Sequence, residues 1–172
     1  MRELHHLHQR NLPVAELSRA SGVGVRPVQP GDEPFLLDLY ATTRDRDFAL
    51  LDDAVRRPLL RLQFTAQQAG YTARFPGAEH NLIAVGGERA GQIRLASSPS
   101  EIRVVDISLL PQYRGRGIGT MLYRDVQARA AADGQSVAAS VEKSNTGSLQ
   151  FHRRLGFSVE SETERDYRLR SG

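Results

Sequence analysis

Residues 111–120 read PQYRGRGIGT, in which Gly115, Gly117 and Gly119 occupy alternate positions. The apolar run IRVVDISLL of residues 102–110 comes directly before this stretch, and a segment with helical periodicity follows it. Glycine adopts backbone angles that other residues avoid, and it leaves the N–H groups of a loop uncovered. Uncovered N–H groups at the start of a helix bind anions such as phosphate. The stretch therefore predicts a strand, an anion-binding loop and a helix in succession.

A strand and then helices are predicted before this loop. VGVRPVQPGD, residues 23–32, is typical of a short strand that ends in a Pro-Gly turn, and Asp32 is placed to cap the helix of EPFLLDLYATTR. Residues 45–75 predict helix in two pieces, DFALLDDAV and PLLRLQFTAQQAGYTARF. Pro58 fits the first turn of the second piece, where its missing N–H costs nothing.

Strands surround the loop on both sides. HNLIAVGGERAGQIRLASS, residues 80–98, predicts an antiparallel hairpin, and EIRVVDISLL supplies the next strand. After the loop, TMLYRDVQARAAAD predicts a helix that ends at Gly134, and SVAASVE, residues 136–142, predicts a strand. A helix between two strands is a right-handed crossover, so those two strands are expected to be parallel.

The C-terminal part completes an α/β (α+β) fold. SNTGSLQFHRRLGF predicts a short capped helix that Gly156 ends, and FSVESETERDYRLR predicts two short strands. The expected architecture is a mixed, mostly antiparallel sheet of six to seven strands with one parallel pair and about four helices. Residues 23–172 form this domain, and residues 1–22 are expected to be an arm that is mobile or packed on a partner.

Composition excludes several classes of protein. The chain has 172 residues, no cysteine and no apolar run near the roughly 20 residues of a membrane helix, so a disulfide framework, a thiolate metal site and a membrane span are excluded. The pI of 9.7 accompanies a net charge of only +3, because all basic residues except Lys143 are arginines, which argues against nucleic-acid binding. His5, His6 and His8 lie in the arm and do not by themselves make a metal site. The polar N-terminus is unlike a secretion signal and favours the cytoplasm.

Two familiar phosphate loops do not fit. A P-loop needs a lysine before its Ser or Thr, and Thr120 follows a glycine instead. The dinucleotide fingerprint needs a third glycine where GRGIGT has Thr120, and the strand order around it is not the alternating order of a doubly wound domain.

The loop and its flanks resemble the GNAT superfamily of acyl-CoA N-acyltransferases. DISLLPQYRGRGIGTMLYRDV, residues 106–126, is similar to that family's strand, loop and helix, and VEKSNTGSLQFHRRLGF, residues 141–157, is similar to its second motif. The resemblance implies a GNAT-like sheet whose parallel strands splay apart. It also implies that acetyl-CoA binds at the loop through Arg114, Gly115, Arg116, Gly117, Ile118, Gly119 and Thr120, and through Asn145 on the pantetheine arm.

The resemblance further implies roles in catalysis. The backbone of Leu109 or Leu110, at the splay, would donate to the oxyanion. His152 stands where the family commonly has a tyrosine acid, so it either protonates the thiolate or packs in the core. Asp106 and Glu142 are both candidates for the base, and Glu142 is preferred. Asp106 is expected near a cleft or a partner, because burying it unpaired would be costly, whereas Glu142 could also be a solvated charge at the strand end.

The expected reaction is direct transfer of acetyl from acetyl-CoA to a primary amine, without a covalent intermediate or a metal. The alternative is a non-catalytic acyl-CoA sensor or interaction domain, to which the atypical His152 points. A homodimer is a candidate assembly. Gln63, Gln67 and Tyr71 recur every four residues and indicate either an exposed stripe, which is preferred, or a face toward the acceptor cleft.

Overall fold

The computed structural model describes residues 22–44 and 48–172. The predicted arm of residues 1–22 therefore lies, except for Gly22, outside the described residues. The strands are β1 (Val23–Pro27), β2 (Glu79–Val85), β3 (Glu88–Ser97), β4 (Glu101–Leu109), β5 (Ser136–Glu142), β6 (Ser158–Glu162) and β7 (Asp166–Ser171). The α-helices are α1 (Glu33–Arg44), α2 (Asp53–Arg74), α3 (Ile118–Ala132) and α4 (Thr146–Arg154). Short 3-10 turns lie at Pro30–Asp32 and Pro111–Tyr113.

The seven strands form one mixed sheet in the order β1-β2-β3-β4-β5-β7-β6. All neighbouring strands are antiparallel except β4 and β5, which are parallel and joined through α3, as predicted. The β2–β3 hairpin turns at Gly86 and Gly87, whose φ angles of 58° and 87° only glycine adopts readily. The expected fold class is confirmed.

Helices cover both faces of the sheet. Leu122, Tyr123 and Val126 of α3 are buried in the larger core, together with residues of β1 to β5 and Phe157. Leu36 and Tyr40 of α1 pack with α2 residues in a second cluster on the other side. Burying each large apolar side chain contributes about 1.5 to 3 kcal/mol. The first cluster therefore holds α3 against the strands, and the second holds α1 against α2.

Two local predictions before the hairpin are wrong. Pro58 lies inside α2, which is one continuous helix from Asp53, rather than in a first turn. The helix tolerates it because the proline is exposed and the carbonyl of Ala54, which loses its usual donor, belongs to an exposed residue. Asp32 does not cap α1; it accepts hydrogen bonds from Arg26 and from the backbone N–H of Gln29.

A β-bulge in β4 decides which side chains face which helices. Arg94 of β3 pairs with Asp106, whereas the next residue, Leu95, pairs with Val104, so Val105 is an extra residue. Val104 lies in the core under α3, and so does Ile107, which would otherwise face the opposite way. The bulge therefore turns Asp106 to the face that α1 and α2 cover.

Candidate active site

Strands β4 and β5 separate at the centre of the sheet. Their pairing begins at Glu101 with Ser136 and ends at Val104 with Ala139, although β4 continues to Leu109 and β5 to Glu142. Beyond Val104 the edge of β4 that faces β5 has no strand partner among the described residues. The splay that the resemblance implied is present, and it leaves a gap that an extended ligand can fill.

The backbone N–H of Leu109 points into this gap. Leu109 pairs with Gly91 of β3, and the hydrogen bond beside that pair runs from the N–H of Leu110 to the carbonyl of Ala90 over 2.9 Å. In this antiparallel pattern the N–H and the carbonyl of Leu109 both point away from β3. The N–H of Leu110 is used within the sheet, so of the two predicted oxyanion donors the geometry leaves Leu109.

The glycine loop delivers the N-terminus of α3 to the same place. Gly115 and Gly117 have φ angles of 70° and 79°, and Gly117 is the residue that precedes the helix. The first intrahelical hydrogen bond runs from the N–H of Met121 to the carbonyl of Gly117. No side chain caps the helix, and the N–H groups of the residues before Met121 have no intrahelical acceptor. The loop thus presents N–H donors and the positive end of the helix dipole.

The predicted phosphate-binding arginines differ in their surroundings. Arg114 donates from Nε to the carbonyl of Leu109 over 2.7 Å, and from Nη2 to the hydroxyl of Thr42 over 3.1 Å. This side chain therefore ties the end of β4 to α1. Arg116 is exposed, and its guanidinium lies 5.7 Å from the ring centre of Tyr113. Of the two, Arg116 is the one placed at the rim of the loop.

Asn145 is the N-cap of α4. Its side-chain oxygen accepts a hydrogen bond from the N–H of Ser148 over 3.0 Å, as expected for a residue at this position. The side-chain nitrogen takes no part in this cap and can still donate to a ligand. The structural role of Asn145 is thus present, and its predicted contact with pantetheine stays a prediction.

His152 lies in the core. The hydroxyl of Tyr123 is 2.7 Å from Nε2, and the carbonyl of Ser148 is 2.8 Å from Nδ1. The carbonyl can only accept, so Nδ1 carries the proton and Nε2 accepts from Tyr123. The rings of Tyr123, Phe151 and Phe157 surround the imidazole edge to face, and burial lowers the pKa of His152. A neutral imidazole with both nitrogens occupied is poorly suited to protonate a thiolate, so the geometry favours the packing role.

The two candidate bases lie in different environments. Glu142 ends β5, is exposed, and pairs in register with Asp166 of β7. Asp106 is partly buried on β4, and its carboxylate accepts a hydrogen bond from Nε2 of Gln92 over 2.6 Å. Burial raises the pKa of Asp106, while the positive charge of Arg94 opposes this rise. The surroundings of Asp106, which combine the Gln92 donor, the Arg94 charge and a raised pKa, favour it over Glu142 as a base, and both residues stay predictions.

The sequence analysis missed His80 and the polar residues of β3. Arg94 is buried, donates to the side-chain oxygen of Gln68 over 2.6 Å, and lies 2.8 Å from Nδ1 of His80. Its guanidinium also lies 5.2 Å from the ring centre of Tyr71. The alternation of polar and apolar residues in GQIRLA was the available signal, because Gln92 and Arg94 occupy the face opposite Ile93.

Helix α2 turns part of its predicted stripe toward the sheet. Tyr71 is half-buried over Arg94, and Gln63 accepts from the hydroxyl of Tyr40 over 3.3 Å. The interpretation of the stripe as wholly exposed is therefore wrong. Packing of α2 on α1 decides this, because it rotates the helix until Gln68 and Tyr71 meet the buried arginine.

A cavity of about 690 Å³ lies between α1 and α2. Among the described residues, four arginines and one aspartate line the cavity together with apolar side chains. Arg56 donates to Asp53 over 2.5 Å, and Arg61 lies 3.9 Å from Glu33. The lining consists of Leu37, Asp38, Ala41, Arg44, Phe48, Arg56, Arg57, Pro58, Leu60 and Arg61.

Among residues 22–44 and 48–172, no helix is long and apolar enough to cross a membrane. The same residues contain no group of three or more His, Asp or Glu side chains arranged to hold a metal ion.

Solved structures share this fold. The PaiA N-acetyltransferase from Thermoplasma acidophilum, in complex with coenzyme A, superposes with a TM-score of 0.65 at 15% identity, over 87% of this chain and 98% of that chain. Ard1 from Thermoplasma volcanium superposes with a TM-score of 0.59 at 17% identity, over 87% of this chain and 97% of that chain. Arabidopsis thaliana Naa50, in complex with the bisubstrate analogue CoA-Ac-MVNAL, superposes with a TM-score of 0.59 at 16% identity, over 88% of this chain and 99% of that chain.

The family comparison covers both motifs and most of the domain. No curated protein sequence matches the chain significantly. Residues 38–157, which make up more than half of the chain, match the model of the Acetyltransferase (GNAT) family. The match includes the gap between β4 and β5, the glycine loop and α4. The chain therefore belongs to the GNAT family of acetyltransferases and is an acyltransferase.

Proposed function

We propose that this protein transfers the acetyl group of acetyl-CoA to a primary amine by direct attack of the amine. The observation that carries the proposal is the end of the β4–β5 pairing at Val104, with β4 leading through the glycine loop to the N-terminus of α3, which has no side-chain cap among the described residues. An open strand edge and an anion-binding helix start are what a long ligand with a diphosphate and an extended amide-bearing arm requires.

The residues of this chain fit acetyl-CoA. The backbone N–H groups of residues 115–120 and the positive end of α3 would hold the diphosphate, with Arg116 at the rim. The unpaired edge of β4 would hold the extended arm, and the side-chain nitrogen of Asn145 would reach it from the start of α4. When bound, acetyl-CoA supplies an acetyl group already activated as a thioester.

The N–H of Leu109 would stabilise negative charge on the acetyl oxygen. It points into the gap, belongs to a rigid strand, and is oriented by the neighbouring hydrogen bond from Leu110 to Ala90. A donor fixed before the reaction needs no reorganisation, and loss of one such donor typically costs about 100-fold to 1,000-fold in rate. Because the donor belongs to the main chain, side-chain substitutions at Leu109 other than proline should leave it in place.

Asp106 would remove the proton from the attacking amine. It lies three residues before Leu109 on β4, and burial raises the pKa of its carboxyl toward the working range of a general base. The hydrogen bond from Gln92 and the charge of Arg94 keep the carboxylate available as an acceptor. No residue is assigned to protonate the departing thiolate.

The cavity between α1 and α2 would receive the rest of the acceptor. Arg114 links the end of β4, at the carbonyl of Leu109, to Thr42 of α1, which follows the cavity residue Ala41. Helix α1 therefore both lines the cavity and is linked to the end of β4 at the gap between β4 and β5. Its arginines favour an acceptor that carries an anionic group in addition to its amine.

The decisive test is binding followed by turnover. Titration calorimetry at low ionic strength should show association with acetyl-CoA and with CoA, and release of thiol should depend on an added amine. Binding without amine-dependent thiol release would favour the sensor or interaction domain instead. Absence of binding would overturn the proposal.

The base is tested by the pH dependence of kcat/KM. A base acts when it is deprotonated, so kcat/KM of the wild type should fall as the pH drops through the raised pKa of Asp106. Asp106→Asn should lose this dependence and reduce turnover by about 100-fold to 10,000-fold. Glu142→Gln is the matched control and should keep the wild-type profile. If the pH profile of kcat/KM changed only in Glu142→Gln, Glu142 rather than Asp106 would be the base.

A further inference from the structure

A continuous row of hydrogen bonds crosses three strands and ends on Asp106. Arg94 Nη2 lies 2.8 Å from Nδ1 of His80, and Nε2 of His80 lies 2.8 Å from Oε1 of Gln92. Nε2 of Gln92 then donates to Oδ2 of Asp106 over 2.6 Å. These four side chains belong to β2, β3 and β4, so the row exists only when the three strands are in register.

The strand register brings these residues onto one face. His80 pairs with Arg94 across β2 and β3, and Arg94 pairs with Asp106 across β3 and β4. Side chains of cross-strand partners lie on the same face, and Gln92 shares that face because it is two residues from Arg94. The extra residue Val105 is what brings Asp106 to this face.

The direction of every bond in the row follows from Arg94. A guanidinium only donates, so Nδ1 of His80 must accept and the proton of the neutral imidazole must be on Nε2. Nε2–H then donates to Oε1 of Gln92, which directs the amide nitrogen of Gln92 toward Asp106. The oxygen of Asp106 at the end of the row is therefore an acceptor, the state that a general base needs before it takes a proton.

We infer that His80 is a positioning residue, held in its Nε2–H tautomer by Arg94, that fixes the amide of Gln92 and thereby keeps Asp106 oriented as an acceptor. The inference rests on the proposed function, in which Asp106 is the base. His80 itself donates to Gln92 and does not touch the reacting atoms in this arrangement.

Protonation of His80 would break the row. A proton on Nδ1 would place two donors against each other at Arg94, and the resulting charge would face a second positive group. Burial is the main cause that lowers the pKa of His80, and Arg94 lowers it further. The groups that face the row from β3, β4 and α2 are Gln92, Arg94, Asp106, Gln68 and Tyr71.

Loss of His80 should act on Asp106 through Gln92. Without the imidazole, the oxygen of the Gln92 amide loses the donor that fixes it, so the amide can move away and its hydrogen bond to the charged form of Asp106 weakens. A donor stabilises the charged form of a carboxylate, so loss of the Gln92 donor should raise the titration midpoint of Asp106 by about one pH unit or more.

The test uses NMR on the full-length protein without substrate. We expect ¹⁵N shifts of His80, assigned by comparison with His80→Phe, to show a protonated Nε2 and an unprotonated Nδ1 at pH 7. The ¹³C titration of the Asp106 carboxyl should move up by about one pH unit in Gln92→Leu, and in the same direction in His80→Phe. Gln127→Leu, which removes a half-buried glutamine that donates to Leu155 and Ser171, is the matched control and should leave the titration unchanged.

Two results would overturn the inference. One is an Nδ1–H tautomer of His80, and the other is an Asp106 titration that is the same in the wild type, His80→Phe and Gln92→Leu. Where an amine substrate is identified, the acidic limb of kcat/KM should move in parallel with the NMR midpoint. Because the NMR measurements need no turnover, failure of the proposed function and failure of this inference are told apart.

Discussion

The hydroxyl of Tyr123 donates a hydrogen bond to Nε2 of His152 over 2.7 Å, inside a cluster of aromatic rings between α3 and α4. Both groups are buried, and the imidazole has no route to protonate a ligand without breaking this bond. The relationship explains a histidine at the position where the family's second motif commonly has a tyrosine: it is a core residue with satisfied polar atoms.

His152→Phe should therefore affect stability more than turnover. The variant leaves the buried Tyr123 hydroxyl without its acceptor, which should cost about 1 to 3 kcal/mol in the free energy of unfolding measured with urea. We expect turnover to change by less than about threefold, since no transition-state contact is lost. If turnover instead fell by two orders of magnitude or so while the affinity for acetyl-CoA stayed the same, the role of His152 as the acid would be restored.

Gly117→Ala should weaken acetyl-CoA binding. Gly117 has φ 79° at the start of α3, and Gly134 has φ 68° just after its end. Neither glycine has an atom within 4 Å of an added Cβ, so alanine at either position should cost a similar 1 to 2 kcal/mol or so of backbone strain. Calorimetry should show an affinity loss of at least about tenfold for Gly117→Ala alone. Equal affinities in the two variants would mean that the loop does not hold the ligand.

Gly91→Ala should reduce turnover through the backbone of β4. A Cβ at Gly91 would lie 2.2 Å from the carbonyl oxygen of Ser108 and 3.1 Å from Cα of Leu109, so the two strands must move apart where Leu109 presents its N–H. We expect turnover to fall by about tenfold or more. Gly24→Ala is the control, because Gly24 is also a strand glycine and has nothing within 4 Å of an added Cβ. Unchanged turnover in Gly91→Ala would argue against Leu109 as the donor.

Arg57→Ala and Arg61→Ala should selectively impair acceptors that carry an anionic group. Both residues line the cavity between α1 and α2, whereas Arg74, at the last turn of α2, is not among its lining residues and serves as the control. With the pair 4-aminobutyrate and butylamine, kcat/KM should fall about fivefold or more for the carboxylate alone. Equal losses for both amines would contradict an anionic acceptor.

Asp32→Asn should make stability depend less on pH. Asp32 accepts from Arg26 over 2.7 and 2.8 Å, and these bonds lower the pKa of its carboxyl to about 2. A folded-state pKa below the unfolded value contributes stability above about pH 4 that is lost as the pH falls toward 2. Because Arg26 is 41% exposed, we expect a loss of only about 1 to 2 kcal/mol at pH 7 in urea unfolding.

The difference between Asp32→Asn and the wild type should shrink as the pH falls toward 2 and disappear below it, where the wild-type carboxyl is also protonated. Glu164→Gln, at an exposed position between β6 and β7, should unfold like the wild type at every pH. A difference that stays constant down to pH 2 would show that packing, rather than charge, makes Asp32 stabilising.

Much of the fold could be predicted because its signals are local. The positive φ angles of Gly86, Gly87 and Gly117 follow from glycine's lack of a Cβ, and the apolar periods of α1 and α3 follow from the faces they bury. The α2 region is harder to predict, since Pro58 indicates a helix start although the segment is a good helix former on both sides of it.

The site was only partly predictable. The loop stands out because its glycines follow an apolar strand. Asp106 stands out because it is a charged residue within that strand. His80, Gln92 and Arg94 give only a weak alternation signal, since a polar residue on a strand is more often exposed to solvent than joined to its neighbours.

The sequence by itself determined where the chain turns, where α1 begins, and that a glycine-rich loop precedes α3, because these depend on the backbone preferences of a few adjacent residues. Tertiary structure alone decided that β4 bulges at Val105, that Gly91 touches Leu109, that His152 is buried, and that His80 is joined to Asp106. Each of these depends on which strands are neighbours and in what register, and a shift of one residue would turn the side chains to the opposite face.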